Sequence, residues 1–217
     1  MALAIFDLDN TLIAGDSDHS WGEFLCAEGL VDAQRFSHDN DRFYQDYQEG
    51  RLDIYAYLRF ALAPLAGRSV EEVAKLQQQF MCDWVEPMLL PAAFELLDKH
   101  RNRGDELVII TASNTVVTGP IAERLGVATL MGCDTEIVGG KYTGQPTGVP
   151  SFQEGKVTRL QDWLATTGHS LTGAWFYSDS HNDLPLLERV DNPVATDPDP
   201  QLATVANDRG WPIISLR

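Results

Sequence analysis

The chain has 217 residues, 44% of them hydrophobic, enough for one large domain or for a core with an insert, and too apolar to stay disordered. Its 32 acidic residues outnumber 16 basic ones, for a net charge of −16, which argues against binding a nucleic-acid backbone or an anionic membrane, both of which need Lys/Arg patches. A small anionic substrate is still allowed, because local cations override the global field.

The chain opens on Ala2-Leu3-Ala4-Ile5-Phe6, a short apolar run that predicts a buried strand over 2–7 in a parallel sheet. Strand alternation puts Asp7 and Asp9 on one side at its C-terminal end, where open α/β sheets bind ligands. Two carboxylates aimed one way ask for a metal ion, a proton, or both. A break follows at Gly15-Asp16-Ser17. Residues 17–86 read as helical, with apolar groups at helical spacing such as Trp21, Phe24 and Leu25, or Val70, Val73, Leu76 and Phe80. Pro87 and Pro91 then punctuate the chain.

From there helix and strand alternate. Helix 92–103 precedes strand 106–111, and helix 115–125 stops at Gly126. A hairpin is expected from 134–138 to 141–143, turning at Gly139-Gly140. Helix 152–167, strand 173–178, short helix 183–189, strand 193–195, helix 199–208 and strand 212–216 complete the pattern. It predicts an α/β fold, a doubly wound parallel sheet with helices on both faces. Residues 1–14 and 87–217 form the expected core, and 15–86 a helical cap over the ligand edge. The three cysteines, Cys26, Cys82 and Cys133, are far apart and odd in number, so neither a disulfide framework nor a metal spacing emerges. A cytoplasmic setting is expected. The first apolar run meets Asp7 too soon for a signal peptide, and no stretch approaches the ~20 apolar residues of a membrane helix.

Four polar signals sit at strand ends or helix starts. Asp7-Leu8-Asp9-Asn10-Thr11 offers a carboxylate nucleophile for a phosphoryl group and a second carboxyl to move a proton. Thr111, followed by Ser113 and Asn114 at a helix start, makes a phosphate site. Lys156, near the start of the next helix, can reach a phosphate and the nucleophile's charge. Asp179 and Asp183 bring carboxylates to the same sheet edge, suited to Mg²⁺, which takes one or two carboxylates plus water and phosphate. Alone, each has a plainer reading as turn, cap or solvated surface. In this order and context, the set resembles the four motifs of the haloacid dehalogenase superfamily of phosphohydrolases.

That resemblance covers essentially the whole chain. It implies a nucleophile at Asp7, an acid/base at Asp9, phosphate binding by Thr111, Ser113 and Lys156, and Mg²⁺ on Asp7, Asp9 (through its carbonyl), Asp179 and Asp183. The early helical segment and Ser178-Asp179-Ser180-His181-Asn182-Asp183-Leu184-Pro185 are similar to the phosphoserine-phosphatase-like subfamily. Two departures stand out: Ser178-Asp179-Ser180 replaces a usual Gly-Asp-Gly, and Asp16, Ser17, Asp18 and His19 stand where a Glu usually follows the first motif. Some bacterial relatives with this pattern resemble histidinol-phosphate phosphatases. The expected substrate is therefore a small amine-bearing phosphate ester, with L-histidinol phosphate ahead of phosphoserine.

Asp16, Asp18, Trp21, Glu23 and Arg51 are the candidate substrate contacts, offering acid groups and an aromatic face to an amine or imidazolium. Tyr44 and Tyr47 could share that cleft, and Gly15 and Gly22 could hinge the segment. The chain is expected to act as a monomer or homodimer. A phospho-aspartate signalling domain fits poorly, because Asp9 would speed loss of the phosphoryl group. A dinucleotide-binding enzyme is rejected because no Gly-x-Gly-x-x-Gly follows the first strand.

Overall fold

A computed structural model describes residues 2–217. The opening strand, β1 (Leu3–Phe6), is buried along its whole length. It sits mid-sheet among β2 (Glu106–Asn114), β3 (Thr129–Val138), β4 (Lys141–Thr147), β5 (Trp175–Ser178), β6 (Asn192–Thr196) and β7 (Ile213–Ile214), in the order β4-β3-β2-β1-β5-β6-β7. β1 pairs in parallel with both β2 and β5, in the registers Leu3↔Glu106 and Ala4↔Trp175. β4 alone runs antiparallel, against β3.

Side-chain alternation divides the apolar residues between two cores, one on each face of the sheet. Ala4 and Phe6 of β1, Leu107 and Ile109 of β2 and Tyr177 of β5 share one core with α5 (Pro91–Asn102) and α6 (Thr115–Arg124). Leu3 and Ile5, Val108 and Ile110, and Phe176 share the other with α7 (Glu154–Thr167), α8 (Leu184–Leu187) and α9 (Pro200–Arg209). Asp7 continues the Leu3–Ile5 alternation and so heads toward the face that α7 covers.

Between β1 and β2 the chain inserts α1 (Ser17–Ala27), α2 (Ala33–Gln48), α3 (Ile54–Leu62) and α4 (Val70–Phe80), then a π-helical turn at Met81–Val85 and a 3₁₀ turn at Glu86–Met88. Each of the four helices starts on a capping side chain, from Asp16, Asp32, Asp53 and Ser69 respectively, which satisfies backbone N–H groups otherwise left without partners. The insert's ends lie side by side, where Ile13 and Leu89 form a bridge and the Ala14 N–H donates to the Met88 carbonyl at 2.8 Å. Trp21 and Phe24 of α1, Leu58 and Leu62 of α3, and Val73 and Phe80 of α4 join the core of Ala4 and Phe6. In α2 only Asn40 is buried. Among the described residues, no helix is long and apolar enough to cross a membrane.

The sheet departs from expectation in four strands: β4 runs on to Thr147, four residues past its predicted end, β7 keeps only Ile213–Ile214, and β2 and β3 are both longer than predicted. β2 runs past Thr111 to Asn114. β3 begins at Thr129, five residues before the predicted hairpin. The Val108–Ile110 stretch of β2 pairs in parallel with Thr129–Met131, so tertiary pairing holds this Met- and Gly-containing stretch extended where local propensity is weak.

Candidate active site

The predicted strand-end residues converge at the C-terminal edge of β1, β2 and β5. The Lys156 ammonium, buried near the start of α7, donates to Asp7 Oδ1 at 2.7 Å. It also lies 2.7 Å from Asp183 Oδ1 and 2.8 Å from Oδ2. The Ser178 hydroxyl donates to the same Asp183 Oδ2 at 2.7 Å. Both Asp183 oxygens are thus engaged with Lys156, and one with Ser178 as well. Asp7 Oδ2 keeps only a long contact from the Thr11 hydroxyl, 3.5 Å. That hydroxyl also lies 3.2 Å from Asp179 Oδ1 and accepts the Asp179 N–H at 3.1 Å. Thr11 therefore ties the first motif to the fourth.

Gly155 makes this placement of Lys156 possible: a Cβ there would sit 2.0 Å from the Pro150 carbonyl oxygen. Gln153, the residue before α7, has φ 48° and ψ −121°, a strained conformation for a side chain of this size.

One ammonium faces three carboxylates. Burial pushes Asp7 up to about 7, against the pull of Lys156, with Asp183 and Asp9 adding to the rise. Burial, followed by Asp7 and Asp183, also raises Asp179 well above the ordinary carboxylate range. Burial alone would lower the Lys156 ammonium; Asp183 and Asp7 overcome it and hold it above its ordinary value.

Asp9 is held from two sides. Its Oδ2 accepts the Ser113 hydroxyl at 2.6 Å and the Thr111 hydroxyl at 3.3 Å, and its Oδ1 accepts the Ser17 N–H at 2.6 Å. Thr111 and Ser113 are buried, with both hydroxyls turned to Asp9. Asn114, the next residue, bridges core and insert. Its backbone N–H and Nδ2 donate to Asp18 at 3.2 and 2.7 Å, while its Oδ1 caps α6 through Val116 and Val117.

Above these residues lies a cleft lined by Asp7, Asp9, Thr111, Ser113 and residues of the insert. Asp16 and Asp18 line it, as the sequence suggests. Burial and then the Asp9 charge push Asp16 up to about 7. Burial, with Asp16 and Asp9, also raises Asp18 well above the ordinary carboxylate range. Tyr44 and Tyr47 of α2 also line the cleft, and so do Asn40, Phe43 and Tyr57, which sequence reasoning misses because helical periodicity does not say which helix face meets the cleft.

Three candidates lie elsewhere. Trp21 is buried in the aromatic core against Phe24 and Phe80, at centroid distances of 5.1 Å each, because its helix turns that face inward. Glu23 is exposed on the outer face of α1. Arg51 is exposed and pairs with Asp46 at 2.8 Å and with Glu49. Gly22 is not a hinge: it sits within α1, and a Cβ there would come 2.5 Å from Asn40 Nδ2.

Comparison with known proteins agrees with this geometry. Residues 4–188 match the haloacid dehalogenase-like hydrolase family. A histidinol-phosphatase of Neisseria meningitidis is 45% identical over 219 aligned positions, covering 99% of each chain. A phosphoserine phosphatase of Mycobacterium tuberculosis is 33% identical over all of this chain and 71% of its own length. A crystal structure from Bordetella pertussis Tohama I, of a protein with unknown function, superposes with a TM-score of 0.93 at 41% identity, covering 100% of this chain and 99% of that one. A phospho-aspartyl intermediate analogue of phosphoserine phosphatase shares the fold, with a TM-score of 0.72 at 18% identity over 100% of this chain and 93% of that one. With its motifs assembled at one sheet edge and its length matched end to end, the chain belongs to the haloacid dehalogenase-like hydrolase family and is a phosphomonoesterase.

Proposed function

We propose that the enzyme is Mg²⁺-dependent, passes the phosphoryl group through Asp7, and takes L-histidinol phosphate as its substrate. The observation that carries the chemistry is the asymmetry of Asp7: Lys156 holds Oδ1, and Oδ2 is left for phosphorus. Attack by Oδ2 forms the aspartyl-phosphate as the P–O bond to the alcohol breaks. Asp9, two residues on, gives that alcohol its proton and then takes one from the water that cleaves the acyl phosphate. Thr111, Ser113 and Lys156 supply donors to the phosphoryl oxygens.

A hard cation suits the excess negative charge at this edge. Among the described residues, no three Asp, Glu, His or Cys side chains converge as a metal cluster. Two carboxylates, from Asp7 and Asp179, with the Asp9 carbonyl, water and a substrate oxygen match the mixed shell that Mg²⁺ prefers. Asp183, occupied by Lys156 and Ser178, acts from behind that shell. When bound, the metal would neutralise developing charge on the phosphoryl oxygens.

The substrate reading rests on the lining. Asp16 and Asp18 put two carboxyl groups in the cleft beside His19 and three tyrosines, and none of the described residues lining it is Lys or Arg. A substrate amine or imidazolium meets acid groups and aromatic faces there; the carboxylate of phosphoserine meets no cation. The relative named histidinol-phosphatase, similar over nearly the full length of both chains, supports the same choice. In this reading, 1–14 and 87–217 are the catalytic core, and 15–86 the cap that excludes bulk water.

Phosphate release from histidinol phosphate, phosphoserine, sugar phosphates and nucleotides, with and without Mg²⁺, tests it. Histidinol phosphate should lead by kcat/KM, and activity should vanish on chelation; a clear preference for phosphoserine would overturn the substrate assignment. Asp7→Asn should lower kcat by at least about 10³-fold while the protein stays folded, and should abolish acid-stable phosphate labelling of the enzyme's aspartyl site.

A further inference from the structure

β6 pairs with β5 as far as Ser178↔Ala195, so the loop that follows β6, Thr196-Asp197-Pro198-Asp199-Pro200, lies beside the turn that follows β5 and carries Asp179. Asp199 binds that turn on both sides of Ser180. Its N–H donates to the Asp179 carbonyl at 2.7 Å. Its Oδ2 accepts the His181 N–H at 2.8 Å and lies 2.7 Å from His181 Nδ1, which carries the proton that faces the carboxylate. Its Oδ1 caps α9 through the Leu202 N–H at 2.7 Å. One residue thus clamps the turn 179–181 to the start of α9.

Asp199 is itself held stiffly. Pro198 and Pro200 flank it, and a residue before proline is restricted to extended backbone; Asp199 has φ −60° and ψ 161°. Two residues earlier, Asp197 anchors the loop to the last strand. Its N–H donates to the Ile214 carbonyl at 2.9 Å, and its carboxylate accepts the Ser215 hydroxyl at 2.6 Å and the Leu216 N–H at 2.9 Å. The Asp179 carboxylate has far less support of its own. Among the described residues, Thr11 alone hydrogen-bonds it from another part of the chain, with a hydroxyl 3.2 Å away that also reaches Asp7. Its aim is therefore set by the backbone on either side of it, and that backbone is what Asp199 holds. The hold works against Asp7 and Asp183, whose charges repel Asp179 when all three are ionised.

We propose that Asp199 is a positioning residue: it fixes the turn 179–181 so that Asp179 is presented to the cation site it shares with Asp7. This rests on the Mg²⁺ reading above. A turn released from Asp199 is aligned for only part of the time, and the apparent dissociation constant of the cation rises in inverse proportion to that fraction. Saturating metal draws the turn back into place. The loss therefore shows in metal affinity and not in turnover at saturation.

Asp199→Ser separates the two duties of the residue, because a serine still caps α9 and is too short to bridge to His181. Calorimetric titration of the full-length protein with Mg²⁺ should give a dissociation constant about 10–100-fold weaker than in the parent, the usual effect of losing a group that orients a metal ligand. His181→Ala keeps its backbone N–H on Asp199 and should weaken binding by roughly threefold, one hydrogen bond's worth. Asp32→Ala, which removes the cap of α2, should leave it unchanged. In turnover, half-saturating Mg²⁺ should rise by the same factor in Asp199→Ser, while kcat at saturating Mg²⁺ stays within about threefold of the parent. An unchanged dissociation constant in Asp199→Ser, or a kcat that excess Mg²⁺ does not restore, would overturn the proposal. Amide exchange in the metal-free protein tests the hold without the cation: residues 179–183 should exchange about tenfold faster in Asp199→Ser, with 200–209 still protected. Unchanged exchange, or equal acceleration of both segments, would leave Asp199 a helix cap and overturn the proposal too. If the parent binds no Mg²⁺, the metal reading fails, while the exchange result still decides whether Asp199 holds the turn.

Discussion

At the residue scale, the site is a problem of charge placed where water does not reach. Lys156 is buried against Asp7 and Asp183, and its removal strands two carboxylates. Lys156→Met should cost about 3–5 kcal/mol at pH 8, the usual penalty for breaking a buried pair, and less near pH 5 where the stranded carboxyls take up protons; urea melts at the two pH values check this. Asp16 behaves in the opposite sense. Its carboxyl sits at about 7 in the folded protein against an ordinary 3.8, so between those values the folded chain binds more protons than the unfolded one. Its contribution to stability therefore falls as pH rises through that window. Asn can still accept the His19 N–H that Asp16 Oδ1 accepts at 2.8 Å, which preserves the cap of α1. Asp16→Asn should then be more stable than the parent by about 1–3 kcal/mol at pH 8, with the advantage shrinking toward pH 5, while KM for a cationic substrate rises. A variant less stable than the parent at pH 8 would show that Asp16 is ionised and paired in the free enzyme.

At the element scale, the backbone around α7 matters as much as the side chains it carries. Gly155 passes so close to the Pro150 carbonyl that no side chain fits. Gly155→Ala must shift the first turn of α7 and carry Lys156 with it. We expect kcat to fall about 10–100-fold, the usual consequence of misplacing a reacting group by around an ångström, with a thermal melt changed far less than in Lys156→Met. Elements such as α7, β1, β2 and β5 were legible in the sequence because each is an apolar run or period ended by Gly or a polar motif. The motifs are legible as a set: strand ends place Asp7, Asp9, Thr111, Ser113, Asp179 and Asp183 at one edge and a helix start places Lys156. Each alone also reads as a turn or a cap, and only the order of the four, with the family resemblance, assigns their roles. The insert was harder. Trp21, Glu23 and Asp18 share one helix, and only its seating on the core decides that Trp21 points inward, Glu23 outward and Asp18 to Asn114.

At the scale of the whole molecule, the C-terminal edge of the sheet brings Asp7, Asp179 and Asp183 together around the single ammonium of Lys156. Asp7 and Asp179 are both raised by burial, so each hinders folding more as pH climbs from about 4 to 7 and beyond. Bound Mg²⁺ would relieve that. At pH 8 a saturating excess of about 100 times its dissociation constant should stabilise the protein by roughly 2.7 kcal/mol, visible as a higher melting temperature, and the gain should be smaller at pH 5.5, where protons compete for the same oxygens. An equal shift at both pH values would place the ion elsewhere.

The sheet order has a consequence for how the protein is made. β1 is the central strand, yet its neighbours β2 and β5 follow about 100 and about 170 residues later in the chain. During synthesis β1 therefore emerges well before either of the strands that flank it. A chain stalled before β5 offers β1 with one edge open and Asp7 without Asp179, Asp183 or Ser178. Such a fragment is both inactive and a template for strand addition.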